Sequence, residues 1–323
     1  MIKTGGTQKM ISAAAVTQMK RGLQALIGLL VITLAFFILA PTYRQVANFL
    51  TILSNATVLG CLAAGSTVVI ISGGLDLSIG SIIALVSVVV GSMLNLQVPV
   101  FFSVLIGLGV GALCGLISGT IIVLTEIPSF IATLGMMMAV RGAAEIIGAG
   151  KDMSAFPESF ARLGSGYVVP VVIMGACFII VAIFLTKTRL GFNAYAIGGN
   201  KEVARLSGVP VRRNQVVYYV IGGLLAGMAA IIETSRLDFA QSSRGAGMEL
   251  NSIAAVIIGG TSMSGGMGGV GRTIVGVLIM TSLAAGLSHL GIGSSWQRIS
   301  IGIVIIFAVW VDTAQRKRQA TKA

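Results

Sequence analysis

The stretch GFNAYAIGGNKEVARLSGVPVRR, residues 191–213, is polar and basic and lies between two long apolar runs. Within it, Asn200 is a favourable N-cap residue, and Glu202 places negative charge in the first turn of a helix. Gly208 can adopt the left-handed conformation that ends a helix, and Pro210 prevents continuation. The stretch therefore predicts a capped helix of about two turns.

The helix predicted at about 200–208 is amphipathic. Val203 and Leu206 lie three residues apart on one face, whereas Lys201 and Arg205 lie four apart on another. A helix of this kind lies along a surface, and the apolar runs on both sides of it are typical of membrane segments. We therefore expect a short helix held outside the bilayer, between two blocks of membrane spans.

The composition places the whole chain in the membrane class. Of 323 residues, 55% are hydrophobic and only 10% are charged, and the mean hydropathy is +0.98. The formal net charge of +12 would suit nucleic acid if it were clustered on a folded surface. The lysines and arginines lie mainly in the gaps between apolar runs, where they act as topology signals. We therefore expect membrane lipid, and no nucleic acid, around this protein.

The apolar runs predict an all-α polytopic membrane protein with about ten transmembrane segments. The first run exceeds a signal-peptide core and lacks a small-residue cleavage site, so we interpret it as a retained span. Two runs, near 79–96 and near 250–262, are less regular, and we leave open whether each spans fully or forms a broken or re-entrant helix. The ten segments lie at about 22–40, 54–72, 79–96, 98–124, 127–148, 168–186, 214–234, 250–262, 270–288 and 294–312.

The basic residues also indicate the orientation. Basic clusters precede the first span, separate the sixth span from the seventh and follow the last, and cytoplasmic loops carry an excess of lysine and arginine. Even numbers of spans separate these clusters, as a common side requires. We therefore predict cytoplasmic N- and C-termini, with residues 1–21 as an N-terminal segment, 22–312 as the transmembrane domain and 313–323 as a basic tail. The clusters are Lys3, Lys9, Lys20 and Arg21; Lys187, Arg189, Lys201, Arg205, Arg212 and Arg213; and Arg316, Lys317, Arg318 and Lys322.

Glycine ladders predict close helix packing. Among 43 glycines, Gly107, Gly111, Gly115 and Gly119 repeat at four-residue spacing along one helix face, and a shorter ladder begins at Gly223. Lipid is as apolar as the side chains, so helix association in a membrane depends on close contact between small residues. We favour plain packing for these ladders and keep a sliding surface used in gating as the alternative.

The sequence encodes no recognisable enzyme or cofactor site. Residues 266–273, GMGGVGRT, match nucleotide-binding patterns only through glycine density, because the flanks are membrane spans and the P-loop lysine is missing. Cys61, Cys114 and Cys177 lie far apart within apolar runs, and the one histidine, His289, has no metal-ligating neighbours. No nucleophile and base form a pair. We therefore expect no cofactor, no metal and no catalysis by this chain.

Ionisable residues in or beside spans are candidates for function, because charge in hydrocarbon is costly unless it meets a cavity or a partner. Arg141 and Glu145 lie four apart on one helix face, and we favour a structural pair. Glu233 lies near the end of a predicted span. Asp76 lies in the sequence GGLDLSIGS, and we leave open whether it caps the next helix or lines a pathway. A second glycine and hydroxyl segment, 259–266, has the same predicted side and hints at two related units.

Four motifs carry a family resemblance. They are GGLDLSIGS at 73–81, FIATLGMMMAVRG at 130–142, TRLGFNAYAIGGNKEVARLSGV at 188–209 and AAVIIGGTSMSGGMG at 254–268. In their order and spacing they resemble the sugar permeases of ATP-binding-cassette importers, and the ribose-type branch in particular. The resemblance runs from about residue 45 to residue 312.

The resemblance implies the partners and the mechanism of a bacterial inner-membrane importer. Two permease copies, identical or paralogous, form a helical pore, two ATPase subunits dock on the cytoplasmic side, and an extracytoplasmic binding protein delivers the monosaccharide. The helix at about 200–208 is then the coupling helix that inserts into the ATPase, with an ordinary membrane-surface helix as the alternative. ATP hydrolysis belongs to the ATPase partner. The coupling residues are Gly199, Asn200, Lys201, Glu202, Ala204, Arg205 and Gly208.

A neutral sugar needs a path lined by hydroxyl and amide groups rather than by strong charge. Separately, we expect the loop at 235–249 to bind the binding protein. The main alternative is a proton- or sodium-coupled secondary transporter, with Asp76 and Glu145 as candidate coupling residues. The sequence does not distinguish among pentoses, hexoses and related small molecules. The expected path residues are Asn55, Ser66, Thr67, Asp76, Ser78, Ser81 and Thr133, and the expected docking residues are Gln241, Ser242, Ser243 and Arg244.

Overall fold

The computed structural model describes residues 23–149 and 153–320, which are helical over most of their length. The predicted N-terminal segment at 1–21 lies outside the described residues. Two short strands pair antiparallel, with Met153 opposite Ala240. In chain order the elements are α1 (Leu23–Leu39), a 3-10 turn (Pro41–Arg44), α2 (Val46–Ile71), α3 (Ile79–Asn95), α4 (Val100–Thr125), α5 (Ser129–Gly148), β1 (Met153–Ser154), α6 (Glu158–Ala161), α7 (Val168–Lys187), α8 (Arg189–Gly199), α9 (Lys201–Leu206), α10 (Val211–Leu237), β2 (Phe239–Ala240), α11 (Met248–Ile258), α12 (Val270–His289) and α13 (Ser294–Ala320).

Six of the described helices are long and apolar enough to cross a membrane, namely α2, α4, α5, α7, α10 and α12. The prediction of an all-α polytopic membrane protein is confirmed, whereas length and composition support six spanning helices rather than about ten. At α11 the difference has a physical cause, because its 11 residues rise only about 16 Å, half the hydrocarbon thickness of a bilayer. The shorter apolar helices lie at Leu23–Leu39, Ile79–Asn95, Met248–Ile258 and Ser294–Phe307.

Helices α2 and α3 form the centre of the molecule. Most of their side chains are buried, and both sequences are rich in small and β-branched residues that allow neighbouring helices to approach closely. Helices α7, α10, α11 and α12 pack against α2, and α4 and α5 pack against α3. The outer helices α4, α5 and α7 keep broad faces of leucine, isoleucine and phenylalanine exposed. The centre is therefore shielded, and the outer faces suit lipid.

The predicted glycine ladder on α4 packs against α10. A methyl group on Gly111 would overlap the carbonyl oxygen of Gly223, and one on Gly115 would overlap the carbonyl oxygen of Tyr219. Gly109, which lies off the ladder on the same helix, has open space around its missing side chain. Membrane helices use this backbone contact in place of the hydrophobic effect. The ladder therefore fixes the α4 and α10 pair.

Candidate functional site

Residues 189–206 form two consecutive helices, α8 and α9, which meet at Asn200. Asn200 has an extended conformation, with φ −160° and ψ 107°, and its Oδ1 accepts a hydrogen bond from the backbone N–H of Val203 at 3.0 Å. Gly208 follows α9 with φ +83°, in the left-handed region. The predicted helix, its N-cap and its closing glycine are confirmed. We call this end of the helix bundle the α9 end.

The surface of α9 is largely open. Val203 and Leu206, the predicted apolar face, are 57% and 77% exposed, so they do not pack on this chain. On the polar face, Glu202 Oε2 accepts a hydrogen bond from Arg205 Nε at 2.9 Å. Within α9, Ala204 is the buried residue. Apolar residues exposed on a short capped helix are available for contact with another protein or with the membrane surface.

Helix α8 supports α9, and sequence reasoning missed it. Thr188 is its N-cap, with Oγ1 accepting a hydrogen bond from the backbone N–H of Gly191 at 3.0 Å. The helix buries Gly191, Ala194 and Ile197 against the bundle. The signal available in the sequence was a threonine N-cap followed by apolar residues three apart. Helix α8 therefore anchors the exposed α9 to the spans.

The end of α8 meets two glycine-rich loops at the glycine junction, which we define as Gly73, Gly198, Gly265 and Gly266. The backbone N–H of Gly266, between α11 and α12, donates to the carbonyl oxygen of Ile71, at the end of α2, at 2.8 Å. A Cβ on Gly265 would lie 2.8 Å from the Cα of Gly73 and 2.9 Å from that of Gly198. A methyl group on Gly198 would overlap the Ile71 carbonyl. The loops after α2 and after α11, which have similar compositions, therefore contact each other and also α8, the helix that supports α9.

Asp76 fixes the loop between α2 and α3. Its Oδ1 accepts hydrogen bonds from the backbone N–H and the hydroxyl of Ser78, at 2.9 and 2.6 Å, which forms an Asx turn before α3. Burial raises the pKa of Asp76 above its ordinary value, while the Ser78 hydrogen bonds oppose the rise. Thr133 and Tyr219 donate to the carbonyl oxygen of Leu75, at 3.3 and 3.2 Å. Asp76 thus has a local structural role, and a role in a pathway stays a prediction.

A cavity of about 510 Å³ lies at the α9 end, between α9, the loop after α2 and the connection from α4 to α5. Its wall includes Glu126, Ser129, Lys201 and Tyr219. Glu126 has a left-handed φ of +56°, and its Oε1 accepts a hydrogen bond from Arg212 at 2.9 Å. Because α9 forms part of the wall, movement of α9 changes the shape of this cavity.

None of the predicted path residues lies in the wall of this cavity, and they are spread along the bundle. On α2, Ser66 forms a hydrogen bond with Ser252 of α11 at 2.8 Å, and Thr67 forms one with Thr273 of α12 at 2.9 Å. Asn55 lies at the opposite end of the bundle, where its Oδ1 accepts a hydrogen bond from Arg236 at 3.0 Å. Whether these residues line a path stays a prediction. Four others lie toward the α9 end: Asp76, Ser78, Ser81 and Thr133.

The four predicted docking residues belong to a loop at the opposite end, and all but Ser243 are partly buried. One guanidinium nitrogen of Arg141 donates to the carbonyl oxygens of Ser242 and Arg244, at 2.6 Å each. Arg141 therefore holds this loop instead of forming the predicted pair with Glu145. Helical spacing indicated only the neighbour four residues away, whereas the partners lie 101 and 103 positions along the chain.

Within the described residues, no three or more side chains of the metal-binding types histidine, cysteine, aspartate or glutamate are grouped so that they could hold a metal ion. The sulfur atoms of Cys61 and Cys177 approach to 3.9 Å in the buried contact between α2 and α7, and both thiols are free. Their separation of 116 positions gave no sign of this contact.

Sequence comparison supplies the relatives of the chain. The family described as "Branched-chain amino acid transport system / permease component" matches residues 48–309. The ribose import permease protein RbsC of Escherichia coli is 38% identical over 301 residues, which cover 91% of this chain and 94% of the relative. The protein of the same name in Bacillus subtilis is 39% identical over 300 residues, 91% and 92% of the two chains. The galactose/methyl galactoside import permease protein MglC of Haemophilus influenzae is 34% identical over 296 residues, 84% and 88% of the two chains. No solved structure gives a significant match. The polytopic helical chain therefore belongs to this family of membrane permease components.

Proposed function

We propose that this chain is the transmembrane permease subunit of an ATP-driven importer that moves a monosaccharide, a ribose-like pentose or a hexose, across the bacterial inner membrane. Its relatives import ribose or galactose, although the family is named for branched-chain amino acids. That relationship favours the importer over the ion-coupled transporter. The observation that carries the proposal is α9, a capped and exposed helix seated on the glycine junction.

In this mechanism a separate ATPase subunit binds α9 and carries out ATP hydrolysis, so the chain is a transport component and not an enzyme. ATP closes the ATPase pair and displaces α9 with its support α8. The glycine junction passes the displacement to the loops after α2 and after α11, because all three backbones are in contact there. The spans then open the sugar path alternately to the two sides. The residues proposed to contact the ATPase are Gly199, Asn200, Lys201, Glu202, Ala204, Arg205 and Gly208.

The proposal includes ten membrane segments with both termini in the cytoplasm. Six are the spanning helices, and α1, α3, α11 and α13 supply the other four. Helix α11 is half-length, and the chain before it completes the crossing without helical structure. The basic residues from Lys187 to Arg213 support a cytoplasmic α9 end.

The importer also needs partners at its other surfaces. Membrane lipid covers the exposed apolar faces of α4, α5 and α7. A second permease copy, identical or paralogous, completes the pore. An extracytoplasmic sugar-binding protein docks at the end opposite α9, where the predicted contacts are Gln241, Ser242, Ser243 and Arg244.

Reversal of one charge on α9 tests the proposal. Glu202→Arg replaces the carboxylate that pairs with Arg205 and raises the number of positive charges on the ATPase-facing surface from two, on Lys201 and Arg205, to three. We expect the variant to reach the membrane, to lose the ATPase during purification in mild detergent, and to lose sugar uptake. Glu158→Arg is the matched control, because Glu158 forms a similarly exposed pair with Arg162 at the opposite end. The control should retain the ATPase, and normal uptake by Glu202→Arg would refute the assignment of α9.

A further inference from the structure

A non-helical segment enters the bundle from the end opposite α9. After α10 ends, residues 238–247 form turns and the short strand β2 until α11 begins. Ala240 lies against Gly91, near the last turn of α3, whereas Gly245 lies against Gly80, near its first turn. Helix α3 rises about 16 Å between these two glycines, which is half the hydrocarbon thickness of a bilayer. We call residues 238–247 the inserted segment.

The inserted segment leaves part of its backbone uncovered. Ser243 and Ala246 are exposed, although the residues on either side of them are partly or fully buried. Non-helical backbone at membrane depth occurs only where it is buried in protein or lines a water-filled cavity, because lipid cannot satisfy its hydrogen-bonding groups. This part of the segment therefore faces an aqueous path rather than lipid.

Charged side chains hold the segment at this depth. Arg141 donates to two of its carbonyl oxygens, and Glu249 Oε1 accepts a hydrogen bond from the N–H of Gly247 at 3.2 Å. Glu145, one turn from Arg141 on α5, is exposed. Glu145 lies in the last turn of α5, so its exposed carboxylate stands at the outer end of the segment, where water reaches this side of α5.

Unpartnered polar atoms mark the outer part of the same region. Glu233 is 6% exposed, and its Oε2 has no hydrogen-bond partner among the described residues. The Nε of Arg244 is likewise without a partner in the described ranges, and its guanidinium lies 5.6 Å from the centre of the Phe239 ring. Arg236 lies one turn from Glu233 on α10. Buried polar atoms of folded proteins are normally satisfied, so these two indicate water or a polar ligand.

We propose that the inserted segment and its charged neighbours bind the transported solute in the outer half of the membrane, and that this solute is a neutral polyhydroxylated molecule. The inference rests on the proposed function and assigns a binding site within the permease. Glutamates accept hydrogen bonds from solute hydroxyls, and arginines donate to solute oxygens. Because the two charge signs balance, the site favours an uncharged solute over an ion. It also replaces two expectations, that the path carries no strong charge and that Ser243 and Arg244 contact the binding protein. The six residues are Arg141, Glu145, Glu233, Arg236, Arg244 and Glu249.

Thiol labelling tests whether the inserted segment faces water. Ser243→Cys is made in the full chain in native membranes, where the three native cysteines are buried. A membrane-impermeant thiol reagent should label it at least about tenfold faster than Ile179→Cys, because the reactive thiolate forms in water and not in lipid. Ile179 is the control because it is 62% exposed on the apolar span α7. Glu145→Cys supplies a second position on another element, and added ribose or galactose should slow the labelling of both.

Uptake kinetics test whether the site binds the solute. In Glu249→Gln, the ribose or galactose concentration for half-maximal uptake should rise about tenfold, the effect of losing one hydrogen bond to a charged group. The ATPase should remain bound to this variant, because Glu249 lies far from α9. Glu158→Gln, which removes an exposed carboxylate outside the segment, should leave the half-saturating concentration unchanged.

ATP-dependent uptake by the unaltered protein separates this inference from the proposed function. If uptake depends on ATP but neither new cysteine labels faster than Ile179→Cys, the site is overturned and the proposed function stands. Labelling without protection by either sugar, together with unchanged half-saturation in Glu249→Gln, also overturns the site. Absence of ATP-dependent uptake and of any copurifying ATPase overturns the proposed function and this inference with it.

Discussion

At the scale of single residues, Asp76 distinguishes an ATP-driven importer from a proton-coupled transporter. In Asp76→Asn the side-chain oxygen still accepts the hydrogen bonds from Ser78, and the amide resembles the neutral carboxyl that burial favours. We expect ATP-dependent sugar uptake by membrane vesicles to persist in this variant. Loss of accumulation in Asp76→Asn, with the ATPase still bound, would contradict the importer mechanism.

A companion substitution controls for the structure of the same loop. Asp76→Ala removes both hydrogen bonds to Ser78. We expect it to lower the free energy of unfolding of the purified protein by about 1–3 kcal/mol. The stability of Asp76→Asn should remain close to that of the unaltered protein. Equal destabilisation by the two substitutions would show that the carboxylate charge, rather than its hydrogen bonds, maintains the turn.

Residue roles set by near neighbours were predictable, and those set by distant partners were not. Asn200 and Gly208 act through atoms within a few positions of themselves, so the sequence pattern was sufficient to predict the caps of α9. The Arg141 guanidinium instead reaches carbonyl groups on a loop that follows a different helix. A carbonyl group carries no residue identity, so no pattern of side chains indicates it as a partner.

At the scale of elements, the pairing of α4 with α10 depends on glycine. Gly115→Ala places a methyl group against the carbonyl oxygen of Tyr219. This overpacking should lower the free energy of unfolding by about 1–3 kcal/mol. Gly109→Ala is the matched control on the same helix, because nothing lies within 4 Å of the added methyl group. Thermal inactivation in detergent should show a lower midpoint for Gly115→Ala alone. Equal midpoints for the two variants would mean that the ladder does not set this contact.

The existence of the elements was largely predictable, but their lengths and kinds were less so. Apolar runs identified every long span, because a membrane segment needs an apolar surface over its whole length. The same signal identified the run near 250–262 but left open whether it spans fully or forms a broken or re-entrant helix. The structure continues this run before Met248 by turns rather than by helix. Arg141 and the glycines of α3 allow that insertion, and they lie on other elements. Hydropathy alone cannot distinguish a half-helix with an inserted segment from a short span.

At the scale of the whole molecule, the glycine junction connects the exposed helix to the two blocks of spans. Motif composition indicated that the loops after α2 and after α11 share a side, but contact between them depends on how the helices pack. At the contact, backbone atoms of three segments approach so closely that a side chain on Gly198 or Gly265 has no room. A rigid backbone contact of this kind transmits displacement better than flexible side chains would.

Gly198 and Gly271 allow a direct test of that transmission. Gly198→Ala places a methyl group on the Ile71 carbonyl and should separate α8 from the loop after α2, whereas nothing lies within 4 Å of a methyl group on Gly271, in the first turn of α12. We expect Gly198→Ala to retain the ATPase, since α9 is unchanged, but to hydrolyse ATP with little sugar uptake. Gly271→Ala should keep hydrolysis and uptake coupled. For each variant, the coupling is measured as the ratio of sugar transported to ATP hydrolysed in reconstituted vesicles. An equal ratio in the two variants would show that the displacement of α9 reaches the spans by a route that bypasses the glycine junction.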